Sequence, residues 1–232
     1  LPVGVLRNRE GVAVNCYQCD KSVPYLFPDS RCEVCHFHFR GLLSGLRSAS
    51  GRGAQATERE AQLMFQASLS FNPSWAHESY DPEDQDICGM SWASELSKLS
   101  LDPSTKVGAV VLRADGTFAA GGWNKFPPGM NNAPELWADR EYKYKHVIHA
   151  EVVALSQVSD QEARGGTLYT SFPCCPNCME QIGRRGLRRV VLPPLPTEGK
   201  TAAWVEQWRG WMADAFLVAD KYGIRLAIRH HV

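Results

Sequence analysis

The chain contains 232 residues, of which 44% are hydrophobic and 22% are charged, a composition typical of a globular protein with a sizeable core. Its 25 basic and 25 acidic residues give a formal net charge of zero, which argues against a domain dedicated to polyanions, because such domains are basic. No apolar run approaches the roughly 18 residues of a membrane-spanning helix, and the first residues lack a secretory signal pattern. We therefore expect a globular protein with no membrane contact.

Closely spaced cysteines mark the N-terminal region. They form two Cys-x-x-Cys pairs: Cys16 with Cys19, and Cys32 with Cys35. Two such pairs can supply the four thiolates of a structural zinc site, and a segment this short buries too little apolar surface to fold unaided. We therefore predict a zinc-ribbon-like Cys₄ module over residues 1–45, with His36 and His38 as alternative ligands.

Residues 46–83 are predicted to be a linker. The stretch 48–53 is rich in Ser, Gly and Ala, which is typical of a flexible connection. Within the linker we predict one short helix over 57–68, because Thr57 and Glu60 have the spacing of a capping box.

From about residue 84 the hydrophobic pattern becomes regular and predicts an α/β domain over 84–232. Asp115-Gly116 separates two apolar runs and predicts a hairpin turn. Periodicity predicts helices over 84–100, 149–155, 176–185 and 201–222, and strands over 106–112, 117–121, 166–171, 187–192 and 223–228. Strands that alternate with helices in this way indicate a three-layer α/β/α sandwich around a mixed sheet.

Two motifs in this domain carry metal-ligand chemistry: His149-Ala150-Glu151, and then Cys175-Pro176-Asn177-Cys178. One imidazole and two thiolates would hold a tetrahedral zinc ion and leave its fourth position open, which is typical of catalytic zinc. Cys175 and Cys178 are spaced i, i+3, so on the first turn of a helix they face the same way.

Glu151 stands two residues after the predicted histidine ligand, where it could carry protons. A His-x-Glu motif followed by Cys-x-x-Cys is the signature of zinc-dependent nucleobase deaminases. We therefore predict that zinc activates a hydroxide to attack C4 of a cytosine ring and that Glu151 shuttles protons. The alternative interpretation is that Glu151 is an ordinary glutamate in the first turn of a helix.

Further segments of the domain match one known pattern: 102–110 (DPSTKVGAV), 122–129 (GWNKFPPG), 139–144 (DREYKY) and 167–171 (TLYTS). In these segments and the zinc motifs, the chain resembles the deoxycytidylate (dCMP) deaminase family of the cytidine deaminase-like superfamily. The resemblance implies hydrolysis of dCMP to dUMP and ammonia. It also implies that Asn124 binds the sugar, that the N–H of Ala150 holds the pyrimidine carbonyl, and that the protein forms homo-oligomers that respond to dCTP and dTTP.

Two positions depart from the family pattern. Cys174 stands where the family has a proline, so Cys174 is either a bystander or an alternative to Cys175 as ligand. Val153 replaces a frequent asparagine, which is compatible with dCTP or a 5-modified dCMP as substrate. The segment 125–148 also contains five basic side chains, some of which are candidate phosphate ligands and which a solvated charged face would explain equally well: Lys125, Arg140, Lys143, Lys145 and His146.

Two alternative functions stay open. One is a cytosine or adenine deaminase of single-stranded DNA or RNA, with the N-terminal module binding nucleic acid; the neutral net charge disfavours it. The other is a non-catalytic zinc scaffold, which the intact Glu151 disfavours. With one catalytic and one structural zinc, the thiolate ligands must stay reduced, and we therefore expect a cytoplasmic protein.

Overall fold

The computed structural model describes residues 14–15, 22–23 and 82–229. Near the N-terminus, strands β1 (Val14–Asn15) and β2 (Ser22–Val23) pair in antiparallel fashion. The cysteines of the predicted Cys₄ module and the predicted helix over 57–68 lie outside the described residues. The module and the linker therefore stay predictions.

The chain divides into two units between Ser91 and Trp92, and the second unit contains the main sheet. The described helices are α1 (Pro82–Ser97), α2 (Pro134–Ala138), α3 (Arg140–His146), α4 (Ala150–Leu155), α5 (Asp160–Ala163), α6 (Pro176–Arg184) and α7 (Ala202–Lys221). The strands of the main sheet are β3 (Gly108–Leu112), β4 (Phe118–Trp123), β5 (Thr167–Thr170), β6 (Arg189–Leu192) and β7 (Arg225–Ile228). The sequence predicted all of these elements except α2, α3 and α5.

The main sheet has the strand order β4-β3-β5-β6-β7. Strand β3 runs antiparallel to both of its neighbours, whereas β5, β6 and β7 are mutually parallel. Parallel neighbours require long crossover connections, and α6 and α7 provide them. Gly116 has φ 83° and lies in the predicted turn between β3 and β4. The prediction of a mixed sheet is confirmed.

Helices cover both faces of this sheet. On one face Val111, Leu168 and Val190 pack in a buried cluster with residues of α4, α6 and α7, including Met179 and Ala219. On the other face lies the C-terminal part of α1. Its Trp92 and Leu96 are 1% and 0% exposed, and the Trp92 ring contacts Phe118 edge to face at 6.0 Å. The three-layer α/β/α architecture is therefore confirmed. In the described part of the chain, no helix has both the length and the apolar character of a membrane span.

We expect alanine substitution at two helical glycines to change the free energy of unfolding in opposite directions. A Cβ atom at Gly183 in α6 would lie 2.3 Å from Cγ of Tyr222, whereas a Cβ atom at Gly210 in α7 would meet nothing within 4 Å. We expect Gly183→Ala to lower the free energy of unfolding by about 1–3 kcal/mol through overpacking. We expect Gly210→Ala to raise it by up to about 1 kcal/mol through helix propensity. Urea denaturation of both variants measures the difference, and a shift of the same sign and size in both would contradict the packing of α6 against Tyr222.

Candidate metal and substrate site

The helix α4 presents the His-x-Glu motif at its start. His149 is the N-cap of α4, with extended backbone angles, and Ala150 and Glu151 form the first turn. The helix approaches β4 closely at Gly122, where a Cβ atom would lie 2.7 Å from the backbone nitrogen of Ala154. Glycine at this position therefore allows α4 to pack directly on the sheet.

The helix α6 presents the cysteine motif in the same way. Cys175 is its N-cap, and Pro176 occupies the first turn, where a missing N–H costs nothing. The Nδ1 atom of His149 lies 3.2 Å from Sγ of Cys178 and 3.6 Å from Sγ of Cys175. The structure thus brings together the three side chains that the sequence singled out.

The geometry of these three side chains fits a tetrahedral zinc ion. Their ligand atoms all lie within 4.8 Å of one another. Zinc–sulfur bonds of about 2.3 Å and zinc–nitrogen bonds of about 2.1 Å would separate tetrahedral ligand atoms by roughly 3.5–3.8 Å. The distances from His149 to Cys175 and Cys178 are close to this range, so the side chains need little movement to bind the ion.

Hydrogen bonds among these groups prepare a thiolate. The thiol of Cys178 donates to Cys175, and this bond together with the bond to His149 lowers the pKa of Cys175 to about 4. The same interaction raises the pKa of Cys178, and burial raises it further. The bond to Cys175 also raises the pKa of His149. Metal ligands must be deprotonated, and a bound dication would displace the protons that these groups share.

Glu151 is buried beside the three candidate ligands, with 3% of its surface exposed. Burial raises the pKa of its carboxyl group, while the charge of His149 and a hydrogen bond with the Cys174 thiol oppose that rise. A carboxyl group with a raised pKa exchanges protons more readily near neutral pH than an exposed one. Cys174 is 2% exposed and lies outside the cluster of candidate ligand atoms. The structure therefore favours Cys175 over Cys174 as the candidate ligand.

Three of these groups, His149, Glu151 and Cys175, line one open cavity. The cavity is lined by Asp102, Thr105, Val107, Asn124, Lys143, Tyr144, Val147, His149, Ala150, Glu151, Phe172, Pro173, Cys175, Trp204 and Trp208. Both predicted substrate contacts, Asn124 and Ala150, are among these residues.

Asn124 also organises one wall of the cavity. Its Oδ1 accepts a hydrogen bond from the N–H of Val107 at 2.8 Å, and its Nδ2 donates to the carbonyl oxygen of Thr105 at 2.9 Å. Nδ2 also lies 3.3 Å from Oδ2 of Asp102. Much of its hydrogen-bonding capacity therefore holds the loop that precedes β3, and its predicted contact with the sugar stays a prediction.

The sequence did not identify Asp102 as part of the site. Its Oδ1 accepts hydrogen bonds from the backbone N–H groups of Ser104 at 2.9 Å and Thr105 at 3.1 Å, and Oδ2 pairs with Nζ of Lys143 at 2.7 Å. The local part of this arrangement had a sequence signal, because an aspartate that precedes Pro-Ser-Thr favours a turn capped by its own side chain.

Aromatic rings form another part of the cavity wall. The ring of Phe172 packs edge to face against Trp208 at 4.9 Å, and Trp204 lies 5.8 Å from Trp208. Trp204, Trp208 and Trp211 recur at helical spacing, which is typical of side chains that share one helix face. The structure places Trp204 and Trp208 of this face at the cavity.

Comparison with known proteins agrees with this geometry. The sequence model of the "Cytidine and deoxycytidylate deaminase zinc-binding region" matches residues 83–193. An uncharacterized deaminase encoded in the luxG 3′ region of Aliivibrio fischeri is 34% identical over 116 residues, which cover 50% of this chain and 76% of that protein. The deoxycytidylate deaminase of Homo sapiens is 26% identical over 107 residues, which cover 44% of this chain and 60% of that enzyme.

Among solved structures, the dCMP deaminase of cyanophage S-TIM5 in complex with dCMP and dUMP aligns with a TM-score of 0.49 and 23% identity, covering 65% of this chain and 100% of that one. The chain spans about 60% of the length of the mammalian deoxycytidylate deaminases that it matches. The family match includes both 149–151 and 175–178. Since the chain also covers 76% of a deaminase with which it is 34% identical, the protein belongs to the cytidine and deoxycytidylate deaminase family.

Proposed function

We propose that the protein is a zinc-dependent hydrolase that converts dCMP and water to dUMP and ammonia. The observation that supports it most directly is the convergence of His149, Cys175 and Cys178 beside the buried Glu151. Of these four residues, His149, Glu151 and Cys175 line one cavity. Several relatives are named deoxycytidylate deaminase, which favours dCMP among cytosine nucleotides.

The proposed ligands of the catalytic zinc are Nδ1 of His149 and the Sγ atoms of Cys175 and Cys178. Three protein ligands leave a coordination position open, as catalytic zinc sites require. When bound there, zinc lowers the pKa of water from about 16 toward about 7 and so makes a nucleophile available at neutral pH.

Glu151 moves the protons in this proposal. Its carboxylate accepts one proton from the attacking water and passes it to N3 of the ring. It then accepts the second proton of the same oxygen, as the C4 carbonyl forms, and passes it to the amino group, which leaves as ammonia. One residue can make both transfers because burial raises the pKa of its carboxyl group, so that both of its protonation states are accessible during turnover.

Neighbouring groups orient the base. Ala150 is the first residue of α4, where a backbone N–H has no acceptor within the helix, and we assign this donor to the pyrimidine carbonyl. Phe172 and Trp208 provide apolar surface in the same cavity. Such rings stack on a nucleobase and exclude bulk water from it.

The family resemblance and the cysteine spacing motivate further parts of the proposal. A second, structural zinc would be bound by Cys16, Cys19, Cys32 and Cys35. The protein would act as a homo-oligomer in the cytoplasm, where its thiolates stay reduced, and would respond to dCTP and dTTP. Sizing the protein with and without each nucleotide tests the assembly and its regulation.

The experiment for the reaction itself is a substrate panel. Ammonia release is measured with cytidine, deoxycytidine, CMP, dCMP, dCTP, 5-methyl-dCMP and an oligonucleotide that contains cytosine. We expect the highest kcat/KM for dCMP. Turnover of the oligonucleotide alone would replace the proposal with a polynucleotide deaminase, and highest activity on dCTP or 5-methyl-dCMP would reassign the substrate. If the zinc-loaded protein turned over none of these compounds, the result would support the alternative of a non-catalytic zinc scaffold.

A further inference from the structure

The segment 125–148 contributes one cationic side chain to the lining of the cavity. The sequence alone did not distinguish this side chain from the other cations of the segment. Within residues 82–229, Lys143 is the one lysine or arginine that lines the cavity. It lies in α3 and is only 7% exposed. By contrast, Lys145 of the same helix is exposed, and Arg140 stacks on the ring of the exposed Tyr144.

Two oxygen atoms hold the ammonium group of Lys143 in place. Its Nζ lies 2.7 Å from Oδ2 of Asp102 and donates a hydrogen bond of 2.7 Å to Oγ of Ser104. Asp102 is itself fixed by the backbone N–H groups of Ser104 and Thr105. The position of Nζ is therefore set by the wall of the cavity.

This arrangement uses two of the three N–H donors of the ammonium group. A lysine ammonium has three N–H donors, and in the described part of the chain only two acceptor oxygens bond to Nζ. Nζ also lies 5.8 Å from the centroid of the Tyr144 ring, a cation–π contact that supplies no acceptor oxygen. A ligand oxygen that enters the cavity can therefore accept from the third N–H in place of solvent.

The structure of a nucleotide limits which of its oxygens can accept this hydrogen bond. In the proposed reaction the N–H of Ala150 donates to the pyrimidine carbonyl and Glu151 faces ring N3, so both acceptors of the base already have a partner. The remaining oxygens of a nucleotide belong to its sugar and phosphate. Asp102 balances the charge of Lys143, which makes the lysine a directed donor at short range more than a long-range attractor of anions.

We propose that Lys143, held by Asp102 and Ser104, donates its third N–H to an oxygen of the sugar–phosphate part of the substrate and thereby sets specificity for the nucleotide. This inference rests on the proposed function. It assigns a substrate contact to one of the five cations of the segment 125–148 and gives Asp102 the role of positioning that contact.

The test compares substrates within one variant. Lys143→Gln and the wild type are assayed with dCMP, with deoxycytidine, which lacks the phosphate, and with 2′,3′-dideoxycytidine monophosphate, which lacks the 3′-hydroxyl. Lys145→Gln is the matched control, because it removes a cation of the same helix that does not line the cavity. The double variant Asp102→Asn/Lys143→Gln keeps the test valid if a buried unpaired Asp102 prevents folding, and zinc content reports on the integrity of the site.

A bond to the phosphate predicts that Lys143→Gln reduces the ratio of kcat/KM for dCMP to that for deoxycytidine at least about tenfold, mainly through KM, since hydrogen bonds to charged groups are the stronger ones. A bond to the 3′-hydroxyl predicts the same reduction in the ratio for dCMP to the dideoxy analogue. An equal fall with all three substrates, or no change, would overturn the proposal and leave Lys143 a purely structural role. A wild-type protein that deaminates none of them would instead defeat the proposed function.

Discussion

Replacing Glu151 by glutamine is expected to reduce kcat for deamination about a thousandfold or more while the zinc content stays unchanged. Glutamine keeps the shape of the side chain but cannot accept and return a proton. General acid–base catalysis typically contributes factors of about 10²–10⁴, and in the proposed reaction one carboxyl group serves several proton transfers. The substitution leaves His149, Cys175 and Cys178 in place, so the metal site should persist.

The measurement combines ammonia release with metal analysis of the same preparation. Glu135→Gln is a suitable control, because Glu135 is an exposed glutamate of α2 that does not line the cavity. We expect this control to retain wild-type kcat. A Glu151→Gln enzyme that is nearly as fast as the wild type would show that a different group carries the protons, whereas loss of zinc would mean that Glu151 has a structural role at the metal.

Alanine substitution of Cys174, Cys175 and Cys178 is expected to distinguish the metal ligands from a cysteine that only lies beside them. Cys175→Ala and Cys178→Ala should each lose one zinc per chain and nearly all activity, because a site with one imidazole and one thiolate retains metal poorly. Cys174→Ala should keep the zinc, since Cys174 lies outside the cluster of candidate ligand atoms.

Zinc stoichiometry after dialysis checks this expectation. The four N-terminal cysteines are predicted to bind a second zinc, so the count should fall from two to one in the ligand variants. A Cys174→Ala protein that loses metal while Cys175→Ala keeps it would reverse the assignment. In that case Cys174, the alternative ligand that the sequence left open, would be the metal ligand.

The sequence was informative where a repeated pattern specifies an element. The strands around Asp115-Gly116 and the long helix after Thr201 carry many residues of consistent period, and the structure contains both. The helices that it did not predict, α2, α3 and α5, have four to seven residues, which is too short for a helical period to repeat. They form where capping groups and tertiary contacts stabilise the chain; Asp139, for example, caps α3.

The same distinction holds for the candidate site: its local motifs were predictable from the sequence, and its long-range contacts were not. The histidine and the cysteine pair each form a local motif, so their juxtaposition was predictable. The ion pair between Asp102 and Lys143 joins residues far apart in sequence, and no local pattern distinguishes Lys143 from the other cations nearby. Likewise, a helical period shows that Trp204 and Trp208 share a face but not that this face borders a cavity.

The close approach of α4 to Gly122 gives the candidate metal ligand His149 and the candidate proton carrier Glu151 a common foundation. Both belong to the N-cap and first turn of one helix, so the backbone of that turn sets the distance between them. This distance does not depend on which side chains line the rest of the cavity. The surrounding walls come from α3, α7 and the loop before β3. Substitutions in those walls can therefore retune which molecule is accepted while the reactive centre keeps its geometry.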